Sequence, residues 1–313
     1  MAVIMQLVLL AVGFALLVKG ADWFVEGASK LAEKFGIPQL VIGLTIVAIG
    51  TSLPEAAVSV SAALKGSAEI TIGNIVGSNI LNVLLILGIT SVIKPIAVQK
   101  STVRYEIPFV VAMTTLLMGL GLTDNVVGWT DGLIFWAFMI CYLLYLLWMA
   151  KHGGDMPEEI PGEGKEMPVW KMLLLIVLGG VMIVIGSDVA VDAATELARI
   201  FGMSERLIGL TIVAFGTSLP ELVTSATAAV KGKADIAVGN IVGSNIFNIL
   251  FVVGTSALIT PVSYASAFMV DSVACIAAAV LLWVLVSRRH RLGRFGGVCL
   301  LVGYAAYFIY LIG

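Results

Sequence analysis

The sequence is poor in charge. Asp, Glu, Lys and Arg make up 12% of its 313 residues, while 60% are hydrophobic. Soluble domains carry about a quarter charged residues, so an ordinary water-soluble domain is excluded. The net charge of −2 is uninformative, and no basic run suggests nucleic acid. Only three cysteines occur, Cys141, Cys275 and Cys299, all within apolar stretches. They read as small buried hydrophobes, not as a disulfide or metal framework. Long-range alternation of apolar and polar residues is absent, which excludes an outer-membrane barrel. Met1 to Val18 lacks a basic leading segment, so it is expected to be a first mature span and not a signal peptide.

What the sequence does contain is apolar blocks of bilayer-crossing length. Ten spans are expected, at 3–31, 37–64, 70–93, 106–122, 129–150, 169–198, 204–230, 236–260, 268–287 and 294–312. The expected fold is therefore an all-α membrane protein. Between the fifth and sixth spans lies "GGDMPEEIPGEGKEMP", whose Gly, Pro and Glu content reads as a flexible linker. The chain divides into a first unit (1–150), a linker (151–171) and a second unit (172–313).

Those units are copies of each other. Residues 43–84 align with 209–250 at a constant offset of 166, with 29 of 42 positions identical. The same offset carries Gly20 onto Gly186, Asp22 onto Asp188 and Pro95 onto Pro261. Five spans per copy is an odd number, so the second copy enters the membrane inverted, an architecture typical of secondary transporters. With both termini outside, fourteen Lys and Arg fall on the inner side and three on the outer, with Lys19 inside span 1 left uncounted. That asymmetry favours a cytoplasmic linker in a cell (inner or plasma) membrane protein.

The hexapeptide "GTSLPE" occurs at 50–55 and again at 216–221. Gly50 and Pro54 are expected to weaken the helix, and a break within lipid is tolerated only where it lines a cavity or is buried. An ionised glutamate near the bilayer centre costs at least about 2.5 kcal/mol and marks a functional candidate. Two inverted broken helices would bring Glu55 and Glu221 into one midplane pocket. Thr51, Ser52, Thr217 and Ser218 supply hydroxyls there, and the broken turns supply the carbonyls of Ala48 and Ala214. The following spans carry "GNIVGSNILN" and "GNIVGSNIFN", which place Asn74, Ser78 and Asn82 on one helix face, and Asn240, Ser244 and Asn248 on its counterpart. Such an all-oxygen set without His or Cys suits hard cations, Ca²⁺ best among divalents, and also Na⁺.

The paired "GTSLPE…GNIVGSNI" blocks resemble the two α-repeats of the calcium/cation antiporter superfamily, specifically its prokaryotic sodium/calcium exchanger-like members. The resemblance covers both repeats and the ten-span layout. It implies Na⁺-driven Ca²⁺ exchange by alternating access, spans 1 and 6 sliding against a core of spans 2, 3, 7 and 8. It further implies that Glu55, Glu221, Thr51 and Thr217 hold Ca²⁺. Ser52, Ser78, Ser218 and Ser244, with the Ala48 and Ala214 carbonyls, would hold Na⁺. Several members have Asp where this chain has Asn248, so here the glutamates alone give the pocket its charge of −2.

Other readings stay open at this level. Two adjacent glutamates could trade a proton for a cation. Paired carboxylates could in principle activate water, but a symmetric, duplicated ligand set suits an ion better than a peptide, so an enzyme is not expected. A passive channel needs weaker, multi-site binding. Ser78, Ser244, Asn82 and Asn248 could serve as interhelical glue, and Asn74, Asn79, Asn240 and Asn245 as partners for freed backbone. Asp22 with Glu26, and Asp188 with Asp192, could form acidic vestibules or local ion pairs with Lys19, Lys30 or Arg199. No resident cofactor and no protein partner is implied; the expected partners are Ca²⁺, Na⁺ and the bilayer.

Overall fold

The computed structural model describes residues 2–65, 68–152, 167–202, 214–266 and 268–312. Within lipid each backbone amide needs a partner in its own segment, which dictates helix. The helices are α1 (Ala2–Phe35), α2 (Gln39–Thr51), α3 (Leu53–Leu64), α4 (Ile70–Ile93), α5 (Thr102–Asp124), α6 (Trp129–His152), α7 (Val169–Ile200), α8 (Ala214–Gly216), α9 (Leu219–Val230), α10 (Ala234–Ile259), α11 (Phe268–Ser287) and α12 (Arg294–Ile312). Among the described residues eight helices are long and apolar enough to cross a bilayer. The pair α2 and α3, bent by 51°, makes a ninth. The expected span 204–230 is described only from Ala214 onward; its first part lies outside the described residues.

Helices α4 and α10 form the centre of the bundle: 78% and 94% of their apolar windows are buried, against 17% for α1. At 1.5 Å per residue α1 and α7 are each about 50 Å long, well beyond the ~30 Å hydrocarbon core. They run side by side and antiparallel, Gly13 against Ala190, Gly20 against Gly179 and Gly27 against Met172. A Cβ on Gly20 would lie 2.8 Å from the Gly179 carbonyl, and one on Gly186 2.8 Å from that of Gly13. These glycines therefore set the approach of the two backbones. The α1–α7 pair has its own apolar core, which it shares with α2, α9 and α10 and which is distinct from the larger core around α4, α5, α6, α10 and α11.

Four two-residue strands tie the halves together: β1 (Ile96–Ala97) pairs with β4 (Arg291–Leu292), and β2 (Val126–Val127) with β3 (Val262–Ser263). Each sheet joins a strand of the first half to one of the second.

Two expectations need correction. Helix α2 runs straight through Gly50 and ends at Thr51. A Cβ on Gly50 would sit 2.8 Å from the Phe24 ring of α1, so this glycine admits a neighbour; it does not break the helix. The cysteines also divide: Cys275 is buried, Cys299 half-buried and Cys141 exposed. In a bilayer an exposed thiol among apolar neighbours faces lipid at little cost, so burial was not required of it.

Candidate ion-binding site

The break falls at Ser52, whose φ and ψ of −86° and 7° leave the helical range. Ser218 repeats it, at −93° and 6°. Pro54 and Pro220 sit in the first turn of the helix that follows each break, where a missing amide proton costs least. Glu55 and Glu221 share that turn and are fully buried.

The two halves then bond across each other. The Ser52 hydroxyl donates to Glu221 Oε1 at 2.9 Å, and the Ser218 hydroxyl donates to Glu55 Oε1 at 3.3 Å. Asn82 Nδ2 donates to Asn245 Oδ1 at 3.0 Å, and Asn248 Nδ2 to Asn79 Oδ1 at 3.1 Å. Asn79 and Asn245 exchange amide bonds with each other's backbone carbonyls at 3.2 and 3.3 Å. Every bond in this set has a counterpart at the offset of 166. Asn82 and Asn248 also open the two stretches, Asn82–Ile86 and Asn248–Val253, where α4 and α10 widen into π-helical turns; such turns recur at functional sites.

Of the remaining expected ligands, Thr51 donates to Asn240 Oδ1 at 2.9 Å and to the Ala48 carbonyl at 3.3 Å. Ser244 reaches the same carbonyl at 3.4 Å and Glu221 Oε1 at 3.5 Å. Ser78 is buried and Thr217 half-buried, and neither has a hydrogen-bond partner among the described residues. Ala214 opens the short helix α8, two residues before Gly216.

Asn74 and Asn240 make no hydrogen bond to the carboxylate oxygens among the described residues. They donate to Ser59 and Ser225, both at 2.9 Å, and to the backbone carbonyls of Glu55 and Glu221 at 3.3 and 3.5 Å. The sequence reading missed Ser59 and Ser225. Their signal was available: each stands four residues after its glutamate, and the offset of 166 preserves both.

Among the described residues, four buried oxygens at this centre have no hydrogen-bond partner: Oε2 of Glu55 and of Glu221, and Oδ1 of Asn82 and of Asn248. A buried acceptor without a donor costs about 1–3 kcal/mol, more when charged. Four of them together, all acceptors, ask for something positive.

The halves of this helical membrane bundle interlock around buried acceptors, a set that suits a cation. Comparison with known proteins agrees. The family model for sodium/calcium exchanger protein matches residues 5–148 and 171–313, and the chain belongs to that family. It is 39% identical over 310 residues to inner membrane protein YrbG of Escherichia coli (strain K12), covering 95% of this chain and 93% of the relative. It is 32% identical over 342 residues to sodium/calcium exchanger MaX1 of Methanosarcina acetivorans, covering 97% of each. Its fold matches that of the sodium-calcium exchanger NCX_Mj with a TM-score of 0.84, at 32% identity over 99% of both chains.

Proposed function

We propose that the protein is a secondary antiporter that exchanges Na⁺ for Ca²⁺ by alternating access at a site built on Glu55 and Glu221. The four partnerless oxygens, in two pairs related by the repeat, carry this reading. Two buried carboxylates repel each other, and a divalent cation between them removes both the repulsion and the desolvation cost. Ca²⁺ accepts six to eight oxygens in irregular geometry, whereas Mg²⁺ demands a tight octahedron. In this reading Glu55, Glu221, Thr51 and Thr217 take Ca²⁺. Ser52, Ser78, Ser218 and Ser244 take Na⁺, with Asn82, Asn248 and the Ala48 and Ala214 carbonyls.

The antiparallel course of α1 and α7 supports two inverted five-span repeats, in units 1–150 and 172–313 joined by a cytoplasmic linker at 151–171. Both termini then lie outside the cell membrane. The separate core beneath the α1–α7 pair supports that pair as the element that slides. Alternating access follows if the sliding exposes the one central site to either side in turn.

The test is ⁴⁵Ca²⁺ uptake into proteoliposomes under imposed gradients. An outward Na⁺ gradient should drive uptake, and collapsing it should stop uptake. Uptake indifferent to Na⁺ but driven by a pH gradient would replace the proposal with cation/H⁺ exchange, since a proton can also satisfy a partnerless carboxylate oxygen.

A further inference from the structure

A second group of partnerless polar atoms lies outside the central site. Glu106, on the first turns of α5, is 1% exposed. Tyr145 of α6 donates to its Oε1, and the Thr102 hydroxyl one turn earlier lies close to the carboxyl; among the described residues neither Glu106 Oε2 nor the nearby hydroxyl of Tyr142 has a hydrogen-bond partner. Both residues line a groove of about 440 Å³ between α5 and α6, together with Arg104, Tyr105, Phe109 and Tyr145. That volume lies in the range of small-ligand pockets.

The depth of the groove limits its occupant. Glu106 is four residues from the start of α5 and Tyr145 seven from the end of α6. At 1.5 Å per residue they lie about 6 and 10 Å along their helices, the depth at which hydrocarbon gives way to headgroups. At the mouth stands Arg104, exposed, its guanidinium 5.5 Å from the Tyr105 ring centre. Deeper in, Phe109 stacks on Tyr142 at 5.8 Å, and Tyr105 tilts against Tyr145 at 6.4 Å. The groove thus offers a cation at its rim and aromatic walls, with a carboxylate oxygen lacking a donor at its floor.

We infer that this groove holds the headgroup of an amine-bearing phospholipid. The phosphate pairs with Arg104, in the manner of guanidinium–phosphate contacts. The primary ammonium reaches inward, where its N–H groups meet Glu106 Oε2 and the Tyr142 oxygen and its charge lies against aromatic faces. The acyl chains run down the apolar outer surfaces of α5 and α6. The site belongs to the first half alone: at the offset of 166, Glu106, Tyr142 and Tyr145 become Ser272, Phe308 and Leu311. Ser272 already shares a 2.7 Å hydrogen bond with Tyr264. This inference is independent of which ions the central site carries.

The test compares three dioleoyl lipids on the purified, intact protein: phosphatidylethanolamine, phosphatidylcholine and phosphatidylglycerol. Native mass spectrometry reads retention and a melting curve reads stabilisation. Wild type should retain phosphatidylethanolamine at least about tenfold over the other two, the effect of one hydrogen bond to a charged group. Phosphatidylcholine has no N–H to offer and phosphatidylglycerol has no amine. Glu106→Gln should erase the preference. Tyr142→Phe deletes only a hydroxyl and should weaken the preference several-fold without lowering the melting temperature in lipid-free detergent, so it decides the matter if the Gln variant misfolds. Equal retention of all three lipids by wild type, or a preference that survives both substitutions, would overturn the assignment. So would displacement of the lipid by soluble phosphoethanolamine at comparable concentration, which would point to a free ligand.

Discussion

Asp22 on α1 and Asp188 on α7 hold equivalent places in the two halves, yet their surroundings differ. Asp22 meets Lys231 Nζ at 2.5 Å and Lys19 Nζ at 3.0 Å. The counterpart of Lys231 is Lys65, and among the described residues no ion pair joins Lys65 to Asp188. Three turns further along α1, Glu33 bridges to Lys233 at 3.2 Å. Helix α1 packs along α9, whereas α7 makes no comparable contact with α3. The same asymmetry reaches the site, where Ser244 is bonded to the Ala48 carbonyl while Ser78 has no partner among the described residues. Halves so similar in sequence do not differ in packing because of their motifs. Helix α1 thus makes ion pairs and packing contacts with the second half for which α7 has no match to the first half among the described residues, a difference that suits a two-state element of the kind alternating access requires.

The sharpest way to break that comparison is to remove one carboxylate at a time. Glu55→Gln and Glu221→Gln should each abolish Ca²⁺ flux in proteoliposomes with the fold intact by circular dichroism. Stripping one member from a buried charge cluster costs about 3–5 kcal/mol, which is more than a hundredfold in affinity. Neither variant should be spared, since each glutamate accepts a serine from the opposite half. Near-normal flux in either variant would remove that glutamate from the site.

A smaller effect tests how well the halves match behind the glutamates. Ser59→Ala and Ser225→Ala each delete the acceptor of an asparagine amide, worth about 1 kcal/mol. Both should weaken apparent Ca²⁺ affinity by roughly fivefold, through Asn74 and Asn240 losing their hold on the glutamate turns. An effect from one serine only would show that the site is supported from one side.

What could be read beforehand follows from what repetition exposes. The motif "GTSLPE" announced both breaks because a single charged residue in an apolar span is costly, and a second copy makes chance a poor explanation. The nine spans described agree with the expected order because 20-residue apolar blocks admit few alternatives. Other features left no such mark. The Asp22–Lys231 pair joins residues 209 apart, a contact that sequence periodicity does not encode. Of the local ion pairs that the acidic set offers with Lys19, Lys30 or Arg199, Lys19 pairs with Asp22, while Lys30 and Arg199 pair with Glu33 and Glu196. Glu106 begins an ordinary-looking span, and nothing in the sequence sets Tyr142 and Tyr145 beside it until α5 and α6 are packed together. Gly50 looked like a helix breaker because its reason, the Phe24 ring, lies on another helix.

The smallest predicted effect bears most directly on the comparison of the two ends. Lys231→Ala removes the ion pair to Asp22, and Lys65→Ala removes a lysine that makes none among the described residues. Pairs this exposed are worth about 0.2–1 kcal/mol, so the shift in the two-state balance is at most about fivefold. Lys231→Ala should favour the opposite access state, raising accessibility to a membrane-impermeant thiol reagent at a cysteine placed near Asp22. Lys65→Ala should leave that position unchanged and instead slow reagent protection near Asp188 when Ca²⁺ is cycled. Salt should mimic the first change, because screening acts on exposed pairs. If both lysine variants shift accessibility in the same direction, the two ends are not alternatives of one another, and the difference between Asp22 and Asp188 is a fixed property of the fold.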